Sequence, residues 1–132
     1  MPAWVSLILL SALSASVVPI AKRARKSRRM KRLREGDVSA AWSEIVDRLA
    51  DLGSPVPDHL TPVEVASQTT PLLVPLADHY GRSIFGPGGS LTLERVEDAK
   101  RSYRATETHL RTTHAASARL WSWLRVGSLR RR

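Results

Sequence analysis

Hydrophobic and polar positions change rhythm several times along the chain, and the first change is the largest. From Ala3 to Ala21 the sequence AWVSLILLSALSASVVPIA carries no charge. As a helix, its 19 residues rising about 1.5 Å each would extend ~29 Å, close to the thickness of a bilayer's hydrocarbon core. The stretch predicts one membrane-spanning helix. Ser6, Ser11, Ser14 and Ser16 dilute its apolarity, but a helical serine bonds back to the carbonyl one turn earlier and is tolerated in lipid. Small residues at Ser11, Ala12, Ala15 and Ser16 offer a face for close helix packing, and Trp4 suits the outer interface.

A three-four spacing of apolar residues begins after Asp37, a good N-cap. Val38, Ala41, Trp42, Ile45, Val46, Leu49 and Leu52 share one helical face until Gly53 stops it. The other face carries Ser43, Glu44, Asp47, Arg48 and Asp51, with Glu44 and Arg48 spaced for an i to i+4 pair. Trp42 is expected as a core anchor. After the loop SPVPDHL, Thr61, Pro62 and Glu64 write a helix start of cap, N1 proline and capping-box acid, running to about Thr69. Pro71 or a residue shortly after it opens the next helix, through Leu76 and Tyr80, with Pro75 in its first turn. The glycine-rich stretch from Gly81 to Ser90 ends it, and Ile84 and Phe85 are expected to tuck back on the core. From Thr92 to about Leu124 one long pattern follows, through Leu93, Val96, Ala99, Tyr103, Leu110, Leu120, Trp121 and Leu124. Its thin middle predicts a break or an exposed section near Thr112 and Thr113.

These elements predict an all-α chain: one N-terminal transmembrane helix, then a small cytoplasmic bundle of three or four helices with a long C-terminal member. The organisation is an anchor over 1–21, a basic juxtamembrane segment over 22–36 and a helical domain over 37–132. A chain of 132 residues accommodates one such domain and no second.

Charge sets the orientation. The formal net charge is +9, and it lies in one place: Lys22, Arg23, Arg25, Lys26, Arg28, Arg29, Lys31, Arg32 and Arg34 occur without an acid between them, while the remaining twelve basic and twelve acidic residues balance. Basic residues are retained in the cytoplasm, so the N-terminus is expected outside and the domain inside a cell membrane crossed once. A cleaved signal peptide, with Ala12 and Ser14 before the cut, is the competing reading; its positive charge would precede the apolar stretch, and here it follows. The nine cations are candidate ligands for anionic lipid headgroups. Nucleic acid is a less favoured partner for the same run. Within the balanced remainder, residues to Asp98 are acidic and those from Lys100 basic, predicting two faces of opposite sign. The basic, aromatic end with Arg119, Trp121, Trp123, Arg125 and Arg130 to Arg132 either touches the inner leaflet or packs on the first helix.

Chemistry is sparse. The absence of cysteine excludes a disulfide framework, a thiolate nucleophile and cysteine-ligated metal. His59, His79, His109 and His114 lack the spacing of a helical metal site and are read as solvated or hydrogen-bonded. The glycines after Phe85 lack the lysine and hydroxyl of a phosphate-binding loop. No catalytic residue, metal or cofactor is therefore expected.

The order of short motifs resembles the C-terminal end of actinobacterial membrane-bound transglutaminase-like proteins: a last membrane helix, an arginine-rich exit, Ala41, Trp42 and Glu44, then Asp51, Leu52 and Gly53, then Thr61, Pro62 and Glu64, then Phe85, Gly86 and Pro87. The resemblance implies a cytoplasmic domain of unknown function. The family's catalytic residues belong to an extracellular domain with no counterpart here, so it implies no activity for this chain, whether it is a subunit completed by another polypeptide or a remnant. The expected function is a non-catalytic membrane-anchored accessory module that meets a membrane or cytoplasmic protein, with lipid or nucleic-acid binding through the basic segments as the alternative.

Overall fold

The structure, a computed structural model, describes residues 3–87 and 91–114. It is all-α. Five helices follow in order: α1 Ala3–Arg34, α2 Val38–Asp51, α3 Pro62–Thr69, α4 Val74–Phe85 and α5 Leu93–Thr113, with a single 3₁₀ turn at Pro71–Leu73 before α4. There is no strand among the described residues.

Apolar and basic segments form one uninterrupted helix. α1 continues from the uncharged stretch through the whole basic run, with Pro19 inside it, where the ring removes one backbone donor. Ser16 donates its hydroxyl to the Ala12 carbonyl at 2.8 Å, the back-bond expected of a serine within a helix. The helix stops at Gly36, whose φ of +95° places it in the left-handed region. The amide of Gly36 donates to Leu33 and that of Asp37 to Arg32, the paired closing bonds of a glycine-terminated helix. Asp37 at once caps the next helix, accepting from the Ser39 amide at 3.1 Å. Gly53 (φ +92°) repeats the device after α2, with its amide to Ala50 and that of Ser54 to Leu49. Two glycines thus terminate two helices, and the first reverses the chain between α1 and α2.

The bundle core is built where the apolar spacing puts it. Val38, Ala41, Trp42, Ile45 and Leu49 of α2 are buried against Leu33 of α1, Val65 and Ala66 of α3, Leu73, Leu76 and Ala77, and Ala99, Tyr103 and Leu110 of α5. Trp42 stacks on Tyr80 with ring centroids 5.2 Å apart, a contact that orients α4 on α2. Thr61 and Glu64 complete the expected capping box. α4 is different, because Leu73 at its N-cap offers no side-chain acceptor. Ser102 of α5 fills the role from across the interface: its hydroxyl donates to the Leu72 carbonyl at 2.6 Å and accepts from the Leu76 amide at 3.2 Å.

Three expectations need correction. Ile84 and Phe85 do not tuck back on the core; α4 runs through Gly81 to Phe85, leaving Phe85 81% and Ile84 50% exposed. Leu93, counted among the apolar points of α5, is 79% exposed, because it precedes the first turn that faces α2 and α4. The pair expected on the polar face of α2 is replaced by another. Asp47 is buried and Glu44 half-buried beneath α1, so the Glu44–Arg48 pair does not form and Glu44 bonds Arg29 instead. The continuation of α5 toward Leu124, its basic aromatic end, and Gly88 to Ser90 lie outside the described residues; the last helical residue described, Thr113, falls where the break was expected.

Two core hydroxyls give opposite predictions. Ser102→Ala removes both bonds at the start of α4 and should lower stability by about 1–2 kcal/mol. Thr106, fully buried with its hydroxyl oxygen unpartnered, should tolerate Thr106→Val with no loss or a gain of up to about 1 kcal/mol. Thermal unfolding followed by circular dichroism on the detergent-solubilised chain checks both. Gly36→Ala, free of steric conflict beyond a 3.8 Å approach to Val96, should cost about 1–2 kcal/mol through its φ alone.

Candidate functional site

Sequence chemistry concentrates on α1, and the helix sorts its nine cations into two groups. Lys22, Arg25, Lys26 and Arg29 recur every three or four residues and turn toward the bundle. Facing them on α2 are Glu44, Asp47 and Asp51, at the same spacing. The two helices run antiparallel, so the charges meet in rungs. Arg29 donates to Glu44 at 3.1 Å and to Asp47 at 2.7 Å, Arg25 to Asp47 at 3.3 Å, and Lys22 to Asp51 at 2.8 Å. Lys26 reaches past α2 to Glu107 of α5. Leu33, buried, and Met30, half-buried, extend the same stripe to the turn at Gly36.

These pairs sit in a partly dry seam. Asp47 is only 8% exposed, a position where a lone carboxylate would be strongly disfavoured. Two guanidinium groups compensate it. Burial raises the Glu44 carboxyl above its ordinary value, while the hydrogen bond and charge of Arg29 pull it back. Tyr103 lies nearby, its phenol pushed up by burial and by the Glu107 charge, so it stays neutral. The ladder's net contribution to stability is modest because both members of each pair lose hydration, yet removing one member strands the other.

Arg23, Arg28, Lys31, Arg32 and Arg34 point the other way. All five are exposed, and none joins an ion pair among the described residues. The nine residues expected to share one role at a headgroup surface are thus divided by helical phase: four are bonded within the protein, five face solvent. Beyond Lys22 toward the N-terminus, none of the described side chains of α1 is buried. Trp4, Ile8, Leu13, Val17 and Ile20 are each 60–66% exposed, in a helix whose most apolar window has a mean hydropathy of 2.0 and is long enough to cross a membrane.

The ion pairs also define two ends. Asp51 beside Lys22 and Glu107 beside Lys26 place the 52–60 loop and the end of α5 at the end next to the apolar segment. The turn at Gly36, close to Val96, marks the far end, where α4 finishes with Phe85 and α5 starts with Leu93.

Sequence reading missed one further cluster. His79, buried on α4, bonds Asp98 of α5 through Nε2 at 2.8 Å, and Arg101 reaches the other oxygen of Asp98 at 3.3 Å. They border an open depression of about 480 Å³ with Thr92, Glu94 and Arg95. It holds no nucleophile beside a base, and no group of three metal-ligating side chains occurs among the described residues. Its signal was absent from local spacing, since the partners lie 19 positions apart. His59 is exposed and His109 and His114 half-buried.

No protein-family model matches the chain, and no curated protein or solved structure is significantly similar to it.

Asp47→Asn should lower stability by roughly 2–3 kcal/mol, because Arg25 and Arg29 lose the negative charge they share in a buried seam. Glu44→Gln should change it by less than about 1 kcal/mol at neutral pH, since Arg29 keeps Asp47. Glu44 titrates above its unfolded value, so its contribution is greatest in acid and declines as pH rises through the folded value. The Glu44→Gln protein should lack that component when stability is measured against pH.

Proposed function

We propose that this chain is a non-catalytic, membrane-anchored interaction module: the apolar part of α1 crosses the cell membrane once with its N-terminus outside, and the bundle is held in the cytoplasm to meet a protein partner. The observation that carries this reading is the division of α1. Its first half is apolar, with its described large side chains exposed, and its second half is locked to the bundle by ion pairs. Water is a poor solvent for the first half, with five large apolar side chains exposed along it; lipid would be a good one. The nine basic residues immediately after the apolar stretch support the inside placement of the domain.

The exposed Phe85 and Leu93 at the far end are the apolar side chains there that a protein partner could cover. Accessory function also agrees with the motif order that resembles the cytoplasmic tail of transglutaminase-like membrane proteins. Nucleic-acid binding through the basic run is the weaker reading, because four of its nine cations are already engaged within the protein.

A reporter active only in the cytoplasm, fused to the C-terminus, and separation of membrane from soluble fractions test this reading. Cytoplasmic signal in a membrane fraction that resists alkaline carbonate is the expected result. A soluble or exported reporter would refute it. For the partner, Phe85→Ser with Leu93→Ser should leave stability within about 0.5 kcal/mol while abolishing the principal product of gentle crosslinking in cells; an unchanged product would remove the far end from the account.

A further inference from the structure

α1 carries its outward cations at fixed heights, because the helix does not break where the apolar stretch ends. If Ala21 is the last residue in hydrocarbon, helical rise puts Arg23 about 3 Å and Arg28 about 10 Å beyond it, and Lys31, Arg32 and Arg34 at roughly 15, 17 and 20 Å. The headgroup layer of one leaflet is about 5–8 Å deep, and charge is screened over about 8 Å at physiological salt. Arg23 lies within the layer, and Arg28 returns to it by extending its side chain toward the interface. The backbones of the other three stand beyond it by about a screening length or more, so the same extension leaves their charges short of the layer.

We propose that Arg23 and Arg28 are the anionic-headgroup ligands of this protein, and that Lys31, Arg32 and Arg34 are not. This inference rests on the reading of α1 as a membrane anchor. The inward cations have no part in it: Lys22, Arg25, Lys26 and Arg29 hold Asp51, Asp47, Glu107 and Glu44. The ladder adds the geometric constraint that makes the prediction selective. With Lys22 tied to Asp51 at one end and Arg29 to Glu44 near the other, the basic half of α1 stays against the bundle and is kept from lying down along the leaflet. A free basic tail of the same composition would use all nine cations interchangeably.

The test uses the full chain in phosphatidylcholine vesicles, with trace spin-labelled phosphatidylserine or spin-labelled phosphatidylcholine reporting which lipid occupies the protein's boundary shell. The unaltered chain should favour the phosphatidylserine label. Arg23→Gln with Arg28→Gln should abolish that preference, each arginine accounting for up to about fivefold. Lys31→Gln with Arg32→Gln and Arg34→Gln should leave it within about twofold, because those residues stand about a screening length outside the headgroups and even their extended side chains stop short of them. Equal losses in the two variants, or a loss confined to the triple variant, would overturn the proposal. So would a preference that survives the double variant. Carbonate washing separates this from failure of the anchor: a chain that washes off refutes the anchor and this inference together, whereas a chain that stays but shows no phosphatidylserine preference refutes the inference alone.

Discussion

The structure depends on a charge seam between two antiparallel helices. α1 has an apolar half whose described large side chains, from Trp4 to Ile20, are exposed, and a basic half that would repel itself as an isolated helix. Glu44, Asp47 and Asp51 of α2 supply the counter-charges at the spacing at which Lys22, Arg25 and Arg29 recur. Without that match the basic half would have no reason to join the bundle, since only Leu33 and Met30 offer it substantial apolar contact there. The seam fixes which face of α1 is covered, which end of the bundle adjoins the apolar segment, and which five cations remain outward.

Such a seam specifies an arrangement more than it stabilises one. Each ion loses hydration on entering it, and the mutual attraction offsets that loss without greatly exceeding it. Stability comes chiefly from the apolar core around Ile45, Leu73 and Leu76 and from well-made helix ends. The two glycine terminations at Gly36 and Gly53 satisfy the last carbonyls of α1 and α2, and Asp37, Thr61 and Thr92 cap the starts of α2, α3 and α5. Ser102 supplies the bonds at the start of α4 that Leu73 is unable to make. Placing that acceptor on α5 couples α4 to α5 through polar contact as well as through packing.

Elements defined by local rules were readable in the sequence. The start of α2 at Asp37, its stop at Gly53, the capping box of α3 and the proline-led opening of α4 all depend on residues within a few positions of one another, and they fall where the spacing indicates. What failed depended on distant partners. Glu44 was assigned to Arg48 by helical spacing, but a guanidinium 15 positions earlier covers that face. Ile84 and Phe85 were placed inward by hydrophobicity alone, which says nothing about whether a facing surface exists. For the candidate site, the nine cations were identifiable as a group, yet their division was not drawn, because the helix was expected to be a separate segment and no phase was assigned to it. The periodicity was present: Lys22, Lys26, Arg29 and Leu33 lie on one face, and Glu44, Asp47 and Asp51 are their complement. His79 and Asp98 had no comparable signal.

The claim on which everything else stands is that one rigid helix joins the apolar segment to the bundle. Because the chain contains no cysteine, spin labels attached through Ile8→Cys and Ser54→Cys report a single distance by electron double resonance in nanodiscs. With α1 unbroken and docked through Lys22 and Asp51, helical rise predicts a narrow distribution centred near about 20 Å. A broad distribution, or a short distance from the apolar segment folding back on the bundle, would contradict the account.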